Sequence, residues 1–299
     1  MKTEIYYFSG TGNSLHVAKE IRHRLPDSAL IPIISALGQD RIETDAEVLG
    51  IVFPLQGPTY PAAVKFFLEK IDLSHVQYIF AVATRGGTTC RIREEIDKRL
   101  KRQGKQLAAH FIITVFNNDP KFKSGQKSYY CHPISPEELR DKTAEIQKKC
   151  DEISTVVTNR ETYHPKDREY SFRYGRLIER FIIRLIDGQS NKAIPDYFYT
   201  DANCTGCGLC EGICLSDRIS MEEGKPCWDD NIVCYMCYAC LNFCPVSAVQ
   251  IRSKWYMKSH TPTEKRYEHP YGKAKDIQKQ KEGVDVHTEQ RTGSSGSSG

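Results

Sequence analysis

The sequence predicts an α/β protein: a doubly wound parallel sheet of five strands, followed by a small α+β unit organised around cysteine. Three observations carry this. Strand-sized apolar runs alternate with helical patterns through the first half, the order that yields parallel strands with crossover helices. A glycine-rich turn joins the first run to the first helical pattern. Two short stretches late in the chain, "CTGCGLCEGIC" (204–214) and "CYMCYACLNFCP" (234–245), hold eight of the twelve cysteines.

The first strand is "EIYYF" (4–8). It leads through "SGTGNS" (9–14) into a helix marked by Leu15, Ala18, Ile21 and Leu25 at helical spacing. Strand, small turn and helix N-terminus together make an anion seat from backbone N–H groups and the helix dipole. The loop is neither G-x-G-x-x-G nor a Walker A loop, since it lacks the lysine. Hydroxyls without lysine suit a phosphate monoester held without a metal ion. The plainer alternative is a capped helix after a tight turn. Further strands are expected at "ALIPII" (29–34), "VLGIVF" (48–53), "YIFAVAT" (78–84) and "HFIITVF" (110–116), with helices at about 61–72, 90–103 and 136–157. Ligands of such sheets bind beyond the carboxyl ends of the strands. "SGTGNS", "PLQGPTY" (54–60) and "TRGGTTC" (84–90) all fall at that edge. The last of these helices opens on Ser135-Pro-Glu-Glu, a capping-box signature.

Composition bounds the function. The chain has 299 residues, which suits two domains. Its net charge of +4 is too small to argue for nucleic acid or a membrane surface. No apolar run approaches a membrane span, and the N-terminus has no apolar leader. The expected compartment is the cytoplasm, where thiols stay reduced. The closing "GSSGSSG" reads as an appended linker.

The cysteine runs repeat one spacing, C-x2-C-x2-C-x3-C, thirty positions apart. Cysteines this close cannot all bridge one another with relaxed geometry, so a disulfide framework fits poorly. Structural zinc usually takes two C-x2-C pairs across a longer loop. Four cysteines per run is the bacterial iron–sulfur pattern, in which the fourth cysteine ligates the other cluster. Cys204, Cys207, Cys210 and Cys244 are therefore expected to hold one 4Fe–4S cluster, and Cys234, Cys237, Cys240 and Cys214 the second. Each run is followed by a short alternating segment, "ISM" (219–221) and "VQI" (249–251), which makes the unit pseudo-symmetric. Pro245 follows the second run but Leu215 follows the first. A unit this small buries little core unaided, so metal binding is expected to supply much of its folding free energy.

"YGRLIERFIIRLID" (174–187) is amphipathic, with Leu177, Ile178, Phe181, Ile182, Leu185 and Ile186 on one face, and is expected to pack between domains. Cys90, Cys131, Cys150 and Cys227 read as free or buried thiols. The segment beyond about Trp255 reads as a mobile tail or a wrap over the surface. The histidines form no metal-binding pattern. The resulting division is 1–160, a linker with an amphipathic helix at 161–195, 196–256, and a polar tail at 257–299.

The first 160 residues resemble flavodoxin, through "FSGTGNS", "FPLQGPTYP" and "ATRGG". The resemblance implies an FMN site. Ser9, Thr11, Gly12, Asn13 and Ser14 would take the phosphate. Pro54, Leu55, Gln56, Gly57 and Tyr60 would line one side of the flavin ring, and Thr84, Arg85, Gly86 and Gly87 the other. The long aromatic clamps of typical flavodoxins are not evident; Tyr60 is the stacking candidate, and Arg85 is a candidate to neutralise a reduced flavin. The cysteine unit resembles the bacterial two-cluster ferredoxins. The whole order, together with "GKPCW" (224–228) and "KRYEHP" (265–270), resembles the family of flavodoxin–ferredoxin fusion proteins. That resemblance implies electron transfer through two 4Fe–4S clusters and FMN, with a redox protein as partner. No second dinucleotide motif points to NAD(P)H. Two alternatives stand beside it. One is an FMN-dependent reductase of a small molecule, with Phe116, Asn117, Asn118 and Asp119 bordering the pocket. The other is a zinc-bearing interaction protein without redox function.

Overall fold

The computed structural model describes residues 2–56, 59–87, 92–118, 122–123, 134–167, 178, 181, 196–252, 259–260, 266–267 and 269–283. The sheet is formed by β1 (Thr3–Tyr7), β2 (Ser28–Pro32), β3 (Val48–Pro54), β4 (Tyr78–Arg85) and β5 (Ala109–Thr114), all parallel, in the order β2-β1-β3-β4-β5. This is the flavodoxin-like α/β fold expected from the alternation. The central strands β3 and β4 are buried on both faces, which is why they read as unbroken apolar runs.

Helix α1 (Asn13–Arg24) and the long α5 (Pro136–Thr158) cover one face; α2 (Ile33–Ala36), α3 (Ala62–Lys70) and α4 (Ile92–Leu100) belong to the other. Leu15, Ala18, Ile21 and Leu25 are all buried, as their spacing predicts. The Ser135 cap is complete: its hydroxyl accepts from the Glu138 N–H, and the Glu138 carboxylate accepts from the Ser135 N–H. The short α2 was not foreseen, because a single turn after a strand carries too few residues to show a period.

The cysteine-rich unit pairs β7 (Phe198–Thr200) with β10 (Val249–Ile251), and β8 (Ile219–Glu222) with β9 (Lys225–Trp228), both antiparallel. One-turn helices α6 (Leu209–Gly212) and α7 (Ala239–Asn242) follow the two cysteine loops. The arrangement is compatible with a ferredoxin-like domain. Its own core is small: Tyr197, Phe198, Leu241, Val249 and Ile251. It also contributes Ile213, Leu215 and Ala239 to the core beneath α3 and α4 of the sheet domain.

The chain then returns. Residues 269–283, including α8 (Ala274–Gln278), lie against the carboxyl edge of the sheet, with Ile277 buried in that same core. This segment is a wrap, and it reaches into the interior. Of the amphipathic helix, Ile178 and Phe181 are helical and exposed, so these two do not pack between the domains; its other residues lie outside those described. Cys150 is buried and free, and Cys227 is half-buried and free; Cys90 and Cys131 lie outside the described residues. Among the described residues no helix is long and apolar enough to cross a membrane.

Candidate functional site

The loop after β1 is buried at Ser9, Thr11, Asn13 and Ser14. Its side chains hold one another and their neighbours. Ser9 Oγ accepts from the Gly12 N–H at 3.1 Å. Thr11 Oγ1 accepts from Asn118, and the Ser14 and Thr84 hydroxyls lie 2.8 Å apart. Asn13 donates to the Phe116 carbonyl at 2.9 Å and accepts from the Tyr267 hydroxyl at 2.9 Å. The backbone N–H groups of Thr11, Asn13 and Ser14 meet no acceptor among the described residues. These are the donors a helix N-terminus leaves open, and buried donors of this kind need a partner. A phosphate fits that chemistry, so the residues present suit the phosphate end of FMN.

Gly12 has a φ of +109°, and its missing Cβ would lie 2.8 Å from the His269 ring. Only glycine adopts this turn without strain while admitting the histidine so closely. The wrapping segment thus closes one side of the loop. Gln280 completes the closure: its side chain donates to the Ser9 carbonyl at 2.7 Å and accepts from the Ser9 N–H at 3.1 Å, fully buried. Burial, with His16 adding to it, lowers the His269 pKa to about 3, so this ring is neutral in the fold. Sequence reasoning missed Gln280 and His269. Their partners lie more than 250 positions away, and the only cue was the "KRYEHP" stretch.

The other expected ring contacts divide. Pro54 and Leu55 are half-buried and Gly86 and Gly87 are exposed, and the β3 and β4 loops meet where the Leu55 N–H donates to the Thr84 carbonyl at 2.8 Å. Gln56 donates instead to the carbonyls of Tyr235 (2.6 Å) and Met236 (3.1 Å), tying the β3 loop to the second cysteine loop. Tyr60 is 1% exposed, packed on Phe53, with its hydroxyl accepting from Arg99 at 3.0 Å and the Arg99 and Lys65 charges over its ring. Protein covers both its faces, so it offers no stacking surface. Arg85 is a buried, ion-paired strand residue and not a free loop cation: it pairs with Asp167 and donates to the Thr114 hydroxyl. Asn117 occupies the space beside Gly86, and Asn118 bridges Thr11 and Asn242. Gly57 and Asp119 lie outside the described residues.

The cysteines sort into two groups across the repeat. Cys204, Cys207 and Cys210 line one cavity together with Cys244, alongside Thr200, Met221 and Val246. Burial raises the pKa of Cys234, Cys237 and Cys240, and the charge of Cys214 adds to each rise, as that of Cys210 does at Cys240. In the first group burial pushes Cys210 up to about 11, with Cys207 and Cys204 contributing. Cys207 is exposed, so the first group is the outer one. The second is inner: a Cβ on Gly10 would meet the Cys237 carbonyl oxygen at 2.2 Å. Tyr235 packs edge-on against Phe8 and Phe66. Among the described residues no three His, Cys, Asp or Glu side chains converge closely enough to grip a single metal ion.

No protein-family model and no curated protein sequence matches the chain. Among solved structures, similarity is found to the rubredoxin oxygen:oxidoreductase of Desulfovibrio gigas, at 11% identity and a TM-score of 0.33, over 53% of this chain and 36% of that one. The chain thus spans about a third of that oxidoreductase. It is also similar to an FMN-dependent NADH-azoreductase of Bacillus anthracis (11% identity, TM-score 0.31, 53% of this chain and 99% of that one). A third likeness is to the NAD(P)H:quinone oxidoreductase of Methanothermobacter marburgensis (10% identity, TM-score 0.30, 56% of this chain and 99% of that one). Likeness at this level carries no inference about activity.

Proposed function

We propose that this protein is an iron–sulfur flavoprotein that relays electrons between a redox protein partner, two 4Fe–4S clusters and FMN. The observation that supports the reading is that Cys244 lines one cavity with Cys204, Cys207 and Cys210 of the other run; the charge of Cys214 acting on Cys234, Cys237 and Cys240 agrees with it. The spacing supports clusters over zinc. Bound clusters move single electrons and FMN exchanges one or two, which makes the combination a converter between carriers of different stoichiometry.

The chain's own part is placement. Cys204, Cys207, Cys210 and Cys244 would hold the outer cluster near solvent, where a partner protein can approach. Cys214, Cys234, Cys237 and Cys240 would hold the inner cluster against Gly10. The N–H groups of Thr11, Asn13 and Ser14 would receive the FMN phosphate, and the flavin ring would lie beside Pro54, Leu55, Gly86 and Gly87. Gln280, His269 and Tyr267 exclude water from the back of the loop.

An anaerobic absorption spectrum with iron, acid-labile sulfide and flavin counts tests the reading. Eight iron, eight sulfide and one FMN per chain are expected from two cubanes and one flavin site. Zinc without sulfide would overturn it in favour of the interaction protein. The exposure of Gly86 and Gly87 favours one second reading, an FMN-dependent reductase whose small substrate enters beside them. Fast, stereoselective reduction of an organic acceptor by the purified protein would select it.

A further inference from the structure

The two cysteine groups are built on one repeat, yet their surroundings differ. Four positions after Cys214 comes Arg218; four positions after Cys244 comes Ala248. Two positions after Cys214 comes Ser216; the counterpart is Val246. The inner group therefore has a guanidinium and a hydroxyl where the outer has two apolar side chains. Arg218 is among the largest fully buried side chains in the molecule. Its Nε donates to the Asp229 carbonyl at 2.8 Å, and its Nη2 pairs with Asp230. The two residues that hold it, Asp229 and Asp230, stand five and four positions before Cys234, and the Ser216 hydroxyl is 3.6 Å from Cys214 Sγ. No charged residue lines the outer cavity among the described residues.

Electrostatics converts this asymmetry into a direction. A cluster that accepts an electron gains negative charge. Burial alone opposes that step, because added charge is poorly solvated away from water. A fixed buried cation nearby favours it, and its field is little screened at that depth. Asp230 only partly cancels the effect, since its carboxylate is 44% exposed and solvent damps it. Backbone donors do not reverse the difference, since both groups have them: Ala248 N–H to Cys244 Sγ at 3.2 Å, and Met236 N–H to Cys234 Sγ at 3.4 Å.

We propose that Arg218 sets the order of reduction, making the inner cluster the easier of the two to reduce, so that an electron entering at the exposed Cys207 side is drawn toward Gly10 and the sheet domain. The inference rests on the two-cluster reading above. One electron leaves the outer cluster and one enters the inner; no proton or bond changes hands. The first electron comes from a one-electron reductant outside the chain.

The test is an anaerobic titration of the full-length protein with dithionite, followed by electron paramagnetic resonance, with iron and sulfide counted on each variant. Two one-electron waves from the clusters are expected, in addition to the reduction of FMN. Arg218→Gln should lower the wave of higher potential and leave the other in place, while Arg218→Lys should restore most of the shift. Asp230→Asn should move the same wave upward, and because Asp230 is partly exposed it serves as the deciding variant if Arg218→Gln fails to hold its clusters. A shift confined to the lower wave, no shift in either, equal loss in the Gln and Lys variants, or no rise with Asp230→Asn would overturn the proposal. Iron and sulfide missing from the unaltered protein would instead remove the two-cluster reading on which it stands.

Discussion

The sheet domain and the cysteine unit are held together by different means. The sheet domain has a packed core on each face, reaching from α1 and α5 on one side to α3 and α4 on the other. The cysteine unit has five buried residues in a core of its own and half-buried cysteines around them. It shares the sheet domain's core through Ile213, Leu215 and Ala239. A unit with so small a core of its own is expected to depend on its neighbour and on metal binding to fold, the sheet domain much less so.

Removing metal should break the comparison most widely. Chelation under anaerobic conditions is expected to unfold residues 196–252 while the sheet persists, because metal binding and folding are one process for such a unit. Limited proteolysis read by mass spectrometry checks this: cuts should concentrate between Ala202 and Arg252. Equal cutting in the sheet domain would show that the two fold as one.

The join comes next. At Gly10 an added Cβ meets backbone, the Cys237 carbonyl oxygen, and backbone cannot swing aside as a side-chain tip can. Gly10→Val is expected to cost at least the 1–3 kcal/mol of an overpacked site and to part the second cysteine loop from the phosphate loop. The Gln56 contacts to Tyr235 and Met236 should be lost with it. Amide exchange at 234–240 and at 9–14 should rise together. Gln280→Ala is milder. It removes two buried hydrogen bonds from Ser9, at about 1–3 kcal/mol for the groups left unsatisfied, and should loosen the wrap without changing the sheet. Denaturant unfolding of the unaltered and substituted proteins measures both.

The two regions were also legible to different degrees. The five parallel strands followed from alternation, since Leu49, Ile51, Phe53, Phe80 and Val82 read as buried runs whichever side chain faces which layer. The expectation that Cys244 joins the first run comes from a spacing that repeats at a fixed offset, and the two do line one cavity. The FMN edge was half readable. The loops fall where the topology puts them, but the fate of each side chain depends on partners far along the chain. Arg85 looked like a loop cation until Asp167 was seen beside it, and Tyr60 looked like a stacking surface until Arg99 and Lys65 were seen over its ring. The wrap was the least legible element. Its sequence is polar and basic, yet Gln280, His269 and Ile277 are buried, because one glutamine satisfies both backbone groups of Ser9.

Acid sharpens the comparison further, because the wrap and the sheet domain each carry one histidine that burial holds neutral. In the wrap, burial holds His269 at about 3, and His16 reinforces it. In the sheet domain, burial and then the adjacent His164 hold His110 at about 4, with the two Nδ1 atoms 3.1 Å apart. Both values lie below the ordinary 6.5, so the unfolded chain binds the proton first. Stability is therefore complete above about pH 6.5 and falls as pH drops, until each folded-state value is reached. Each group should cost about 1.4 kcal/mol per pH unit inside its window. Between pH 6.5 and 5.5 the loss from His269 should appear as faster exchange at Tyr267–Gly272, after correction for intrinsic rates, and that from His110 as a lower unfolding midpoint of the sheet domain. Gln at position 269 can still accept from the Tyr271 N–H, which now bonds His269 Nδ1 at 3.0 Å. His269→Gln should thus abolish the acid response of the wrap and leave that of the sheet domain unchanged. If the one substitution removed both responses, the wrap and the sheet would have to open as a single unit, and the independence argued from their separate cores would fail.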